Sequence, residues 1–165
     1  LRCQLAVGNL HLQRTPTENC ELQTGNCLWL EDESQRIGHV NIPNDLWANM
    51  RNCQVYFLDI PFDERLKHIV HEYGSLDKQK MIEAIGRIKE KLGGLNAKTA
   101  IQLLEEGNTE ESFRILLKYY DKLYLKALHN RNGINSLLQT VECKSVTSEN
   151  ASQLIRYTRF QQQTS

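Results

Sequence analysis

The chain of 165 residues has no net charge, because 20 basic and 20 acidic side chains cancel. No global basic field draws it to nucleic acid, so any RNA contact must come from a local patch. There is no apolar run longer than a few residues, far short of a membrane span. The opening Leu1–Gly8 lacks the apolar core of a signal peptide, and with no initiator Met the chain is expected to begin inside a longer polypeptide. There is no Cys-x-x-Cys pair. The five cysteines, Cys3, Cys20, Cys27, Cys53 and Cys143, are odd in number. Cys27 and Cys53 edge apolar runs and read as small core fillers, so a reducing cytoplasm is the expected location. No internal repeat occurs, and no Gly-x-x-x-x-Gly-Lys-Ser/Thr phosphate loop. His68 and His71 lie three apart beside Glu72, which is not a zincin pattern, and no metal is expected.

What is present is an abrupt switch. The apolar run Leu28-Trp29-Leu30 ends in Glu31, Asp32 and Glu33, followed by Ser34, Arg36 and Gly38. A buried strand whose carboxyl end opens onto polar residues is how α/β sheets build ligand sites. In phosphate-handling proteins an acid here holds magnesium or its water. Arg36 offers a planar fork for two phosphate oxygens, and Gly38 permits close backbone approach. The bland alternative is a solvated acidic turn with a structural ion pair. Gln54–Pro61 is β-branched and aromatic and reads as the best strand, with Asp59 near its carboxyl end. Gln4–Val7 reads as a short strand and Asn44–Arg51 as a short helix behind Pro43.

Helices follow. Leu66, Ile69, Val70 and Tyr73 make one apolar face, with Asp63 as the expected cap and Arg65 in the first turn, either reaching a phosphate or merely exposed. Leu76–Leu92 is expected as one helix stopped by Gly93-Gly94, and Asn96–Glu106 as another. Asn108-Thr109-Glu110-Glu111 approximates a capping box for a helix reaching about His129. On that helix Arg114, Lys118, Lys122 and Lys126 recur every four residues beside Tyr119, Tyr120 and Tyr124. Basic residues next to aromatics suit an RNA backbone, although an ordinary amphipathic helix has the same pattern. Residues 134–165 are polar, with a helix at most over Glu149–Phe160. The predicted fold class is α/β: an incomplete P-loop-type parallel sheet followed by a helical subdomain. The expected segments are an irregular 1–26, an α/β core over 27–74, a helical part over 75–133 and a tail over 134–165.

Leu28–Gly38 with Ile42-Pro43 resembles a signature of tRNA 2-selenouridine synthases, as does Leu58-Asp59-Ile60-Pro61-Phe62-Asp63-Glu64-Arg65. Ile88–Leu95 and Tyr119–Tyr124 are similar to that family's C-terminal helices. The resemblance runs from Cys27 to about His129, and Leu1–Asn26 does not read like the family segment. It implies an enzyme that replaces sulfur by selenium on wobble 2-thiouridine of tRNA. Selenophosphate is the donor, and an S-geranylated intermediate is made from geranyl diphosphate. It implies tRNA and a selenophosphate synthetase as partners, and a missing N-terminal half carrying a rhodanese-like domain and the phosphate loop. On that account the fragment alone is expected to be inactive and to hold no cofactor of its own. The ligand-facing set would be Glu31, Asp32, Glu33, Ser34, Arg36, Gly38, Asp59 and Arg65, and the RNA-facing set Arg114, Lys118, Lys122 and Lys126. Two other readings stay open: half of a P-loop nucleotide or metabolite kinase, and a non-catalytic helical interaction module.

Overall fold

A computed structural model describes residues 4–8, 28–31, 34–37 and 39–163. They divide into two compact units. One comprises Arg2–Asp59 and Arg131–Val141, the other Ile60–Asn130 and Glu142–Ser165.

The first unit is built on a four-stranded sheet. Its strands are β1 (Gln4–Gly8), β2 (Leu28–Glu31), β5 (Gln54–Asp59) and β6 (Leu138–Glu142), in the order β2-β1-β5-β6. Between β2 and β5 in the chain come the short hairpin β3 (Arg36–Ile37) and β4 (Val40–Asn41), then helix α1 (Asn44–Arg51). Strand β1 is antiparallel to both neighbours, with Leu5 opposite Glu31 on one side and Tyr56 on the other. Strands β2 and β5 therefore run in the same direction, as a parallel sheet requires, and α1 lies in the crossover that joins them. A parallel sheet leads one to expect such strands side by side; here β1 lies between them in the opposite sense. The long crossover that co-directional strands need is present all the same. Val55, Tyr56, Phe57 and Leu58 are all buried, so β5 is covered on both faces, which is why it reads as an unbroken apolar run.

Arg131 is buried in this unit, and its guanidinium fits the carboxyl end of α1. Nε donates to the Arg51 carbonyl at 2.8 Å, and one terminal nitrogen donates to the carbonyls of Met50 at 2.8 Å and Cys53 at 3.0 Å. The last carbonyls of a helix have no partner within it. Arg131 supplies one and at the same time ties α1 to Cys53, the residue just before β5.

The second unit is helical. It contains α2 (Phe62–Tyr73), α3 (Lys78–Arg87), α4 (Lys89–Leu92), α5 (Gly94–Glu105), α6 (Thr109–His129) and α8 (Ser148–Gln163). Leu66, Ile85, Leu92, Ala97, Ala100, Leu104, Phe113 and Leu117 form its core. Small Ala97, Ala100 and Ser112 let α5 and α6 approach closely, and the buried Ser112 hydroxyl donates to the Ala100 carbonyl at 2.8 Å. Asn108 caps α6 through the Glu111 amide, as the sequence suggests.

Several expectations are corrected. Pro61, not Asp63, stands at the cap of α2, because Asp63 already has helical backbone. The single helix expected over Leu76–Leu92 breaks at Ile88 (φ −102°, ψ 7°), two residues after Gly86. Helix α5 begins at Gly94 rather than Asn96, since Gly93 at φ +89° turns the chain within one residue. Helix α2 groups with the helical unit rather than with the sheet, because Leu66 is part of that core. The tail is ordered: α7 (Ile134–Leu137) leads into β6, which joins the sheet beside β5, and α8 buries Leu154. A five-residue edge strand pairs through its backbone, so its composition carries little signal.

Candidate functional site

The carboxyl edge of the sheet is the first candidate. The register sets Glu31 and Tyr56 level with each other, both opposite Leu5. Glu31 closes β2 two strand spacings, or about 10 Å, across the sheet from Tyr56, and Asp59 closes β5 three residues, or about 10 Å, further along in the same direction. Asp59 is exposed. The segment leaving β2 is internally braced. The Gln35 side-chain amide donates to the Ile42 carbonyl at 3.1 Å and to Asn44 Oδ1 at 2.8 Å, while the Ile42 amide returns a bond to the Gln35 carbonyl at 2.8 Å. Ser34 Oγ accepts from the Arg36 amide at 3.2 Å, and the Arg36 side chain is exposed. Asp32, Glu33 and Gly38 lie outside the described residues, as do Leu1–Cys3 and residues 9–27. Glu31 is placed by its backbone.

Arg65 stands apart from this edge set. It is fully buried, with Nη1 and Nη2 donating to the two carboxylate oxygens of Asp121 at 2.7 and 2.8 Å and Nε donating to the Ile60 carbonyl at 3.0 Å. Its guanidinium also lies over the Phe62 ring, 5.6 Å from the centroid. The planar fork that suits a phosphate here grips a carboxylate of the same unit.

Helix α6 is the second candidate. Arg114, the first residue of the expected basic stripe, is bound to Asp63 at 3.0 Å, Glu110 at 3.0 Å and Glu111 at 3.1 Å. Its hydrogen bond to Asp63 leads in raising its pKa above the ordinary arginine value, against the effect of burial, and Glu111 adds to it. Lys118, Lys122 and Lys126 are exposed and make no ion pair among the described residues. The stripe therefore splits into an acid-bound end and three lysines open to solvent. Tyr120 and Tyr124 stack on each other with centroids 5.6 Å apart, and Tyr124 is buried, so these rings serve packing. Among the described residues no group of three His, Cys, Asp or Glu could hold a metal ion. None of their helices is long and apolar enough to cross a membrane.

Residues 11–154 match the model of the tRNA 2-selenouridine synthase AAA domain. The chain belongs to that family. Among its relatives, the tRNA 2-selenouridine synthase of Psychromonas ingrahamii is 26% identical over 157 residues, covering 78% of this chain and 40% of that protein. That of Aeromonas salmonicida is 28% identical over 131 residues, covering 62% and 35%. That of Proteus mirabilis is 28% identical over 124 residues, covering 58% and 34%. The chain thus spans 40% or less of the length of these relatives. No solved structure matches. The family match starts at residue 11, so it reaches into the stretch before Cys27 that the motifs alone set outside the family.

Two residues of consequence escape motif reading. Arg131 sits in a polar loop and has no pattern to flag it. Asp121 does carry a signal: with Leu117 four residues before it and Tyr124 three after, it falls on the buried face of α6. Arg65 likewise occupies the inner stripe of α2 that runs through Phe62, Leu66 and Ile69. Opposite charges on two buried stripes call for each other.

Proposed function

We propose that this chain forms part of a tRNA 2-selenouridine synthase that exchanges sulfur for selenium on wobble 2-thiouridine, with selenophosphate as donor and an S-geranylated intermediate derived from geranyl diphosphate. The observation that carries this reading is the family match over residues 11–154. The carboxyl edge of the sheet takes the phosphate-bearing ligand. Glu31 or Asp32, with Glu33 and Ser34 beside them, orients a metal-bound or diphosphate ligand. Arg36 neutralises its charge, Gly38 lets the backbone approach, and Asp59 contributes from β5, the co-directional strand on the far side of β1. Lys118, Lys122 and Lys126 contact tRNA phosphates, with Arg114 at the margin. The exposure of these lysines and their lack of acidic partners support that assignment.

Binding of a labelled tRNA to the chain, titrated with salt, tests the RNA part. Three phosphate contacts give a slope of log affinity against log salt of about −2 to −3. Binding that is absent, or insensitive to salt, removes the assignment. For the sheet edge, Arg36→Ala should weaken retention of geranyl diphosphate, and Asp59→Asn should weaken its retention in the presence of magnesium. Unchanged retention in both variants rules out this edge as the ligand site.

A further inference from the structure

We infer that Asn41 joins Arg36 in gripping the phosphate-bearing ligand, and that Gln35 is the positioning residue that presents these two side chains together. The inference rests on the reading of Arg36 as a phosphate contact at the sheet edge.

The pairing of β3 with β4 sets Arg36 opposite Asn41. The Ile42 amide donates to the Gln35 carbonyl at 2.8 Å, so Gln35 and Ile42 are a hydrogen-bonded pair at the base of the hairpin. Hydrogen-bonded and non-hydrogen-bonded pairs alternate along an antiparallel ladder. Arg36 and Asn41 are therefore a non-hydrogen-bonded pair, the kind whose side chains stand closest, with Cβ atoms about 4.5–5.5 Å apart. Side chains alternate between faces as well. Gln35 and Ile42 are half-buried on one face, whereas Arg36 and Asn41 share the other and are exposed.

The Gln35 side chain locks this arrangement. Its amide directs one N–H to the Ile42 carbonyl at 3.1 Å and one to Asn44 Oδ1 at 2.8 Å. Asn44 is the first residue of α1, so the hairpin base is tied to a helix. Holding Gln35 on its face keeps the next residue, Arg36, on the opposite one.

The exposed pair suits an oxyanion. A carboxamide NH2 beside a guanidinium offers two kinds of N–H donor within reach of one phosphoryl group. The Asn41 side chain makes no hydrogen bond among the described residues. Arg36 also interacts within the protein, and its five N–H donors leave others for a ligand. A lone asparagine carries no signal in the sequence until the register sets it against Arg36.

The test titrates the full chain and its variants, by calorimetry, with geranyl diphosphate and separately with inorganic phosphate. Arg36→Ala and Asn41→Ala each weaken binding. For Asn41→Ala the loss is roughly 10-fold, the low end for a hydrogen bond to a charged group, because the site is exposed. Asn41→Asp binds more weakly still, since a carboxylate there repels phosphate and pairs with Arg36. Gln35→Met keeps the volume, loses both donors and lowers affinity roughly 3- to 10-fold through lost preorganisation. Added to the double variant Arg36→Ala with Asn41→Ala, Gln35→Met costs no further affinity, because nothing is left to position. Magnetic resonance signals of the Asn41 side-chain amide shift on adding ligand, and the shift shrinks in Gln35→Met, which a purely structural role would not produce. A loss with both titrants means that the pair reads a single phosphoryl group; a loss with geranyl diphosphate alone means that it spans a diphosphate.

An Asn41→Ala chain that binds like wild type while Arg36→Ala binds weakly overturns the inference. So does a folded Gln35→Met chain with wild-type affinity, or one whose loss persists in the double Ala background. If Gln35→Met fails to fold, Asn44→Ala removes one acceptor of the lock and decides in its place: unchanged affinity overturns the role of Gln35. Failure of the underlying reading looks different. Arg36→Ala itself would then bind as wild type does, or the wild-type chain would take up neither titrant, and the inference falls with it.

Discussion

Replacing Arg131 by Met should be among the most damaging single changes in the sheet unit. The side chain is 4% exposed and serves three backbone carbonyls, those of Met50, Arg51 and Cys53. Each hydrogen bond from a charged donor contributes about 1.5 kcal/mol or more, which gives about 4.5 kcal/mol for three. Methionine fills similar volume, so little cavity cost adds to this. Water can reach part of the exposed end at Arg51, which trims the loss. The expected destabilisation is about 3–5 kcal/mol. At about 2–4 °C per kcal/mol for a chain of this size, the melting midpoint should fall by roughly 6–20 °C. Urea unfolding followed by far-UV circular dichroism measures the free energy directly, and Arg131→Lys supplies the control. A lysine keeps the charge but loses the planar fork, so it should recover less than half of the deficit. A loss below about 1 kcal/mol for Arg131→Met with an unchanged urea slope would refute the assignment of these bonds to stability. A Lys variant as stable as wild type would refute the argument from fork geometry.

Other perturbations have distinct expected sizes. Leu104→Ala removes a fully buried side chain from the helical core and should cost about 2–5 kcal/mol in the same unfolding assay; a cost under 1 would mean the site collapses freely. Gly93→Ala should cost about 1–3 kcal/mol purely through backbone strain at φ +89°, since nothing lies within 4 Å of the added Cβ; an unchanged melting temperature would count against that strain. Ser112→Ala keeps the tight α5–α6 approach but leaves the Ala100 carbonyl without its hydroxyl partner, an expected loss of about 1–3 kcal/mol. Hydrogen exchange at the neighbouring α5 amides should rise with it, and unaltered exchange would argue that the bond contributes nothing.

Much of the architecture is legible in the order of residues because it follows from local periodicity. The unbroken Val55–Leu58 run, the apolar stripe through Leu66, the Asn108 cap and the four-residue lysine spacing on α6 are properties of single segments, and the structure places an element at each. Family membership is legible for a related reason: four motifs in a fixed order constrain the chain more than any one of them. The candidate edge at Glu31 and Asp59 is foreshadowed by acids ending apolar runs. The register that sets β2 and β5 on either side of Leu5 is not, because strand partners are chosen across the chain.

The sequence by itself determined the approximate bounds of β1, β2, β5 and the main helices up to His129, which of their faces are apolar, and to which family the chain belongs; it did not show the β3–β4 hairpin, the break at Ile88, or α7 and β6. Tertiary structure alone decided the use made of each charge. Arg65 and Arg114 stand on adjacent helices with the same side chain, yet one is enclosed with a single carboxylate and the other meets three at the surface. Periodicity says whether a residue faces inward; the energy of a charge depends on which opposite charge lies there and how much water is excluded, and both are set only when distant segments meet.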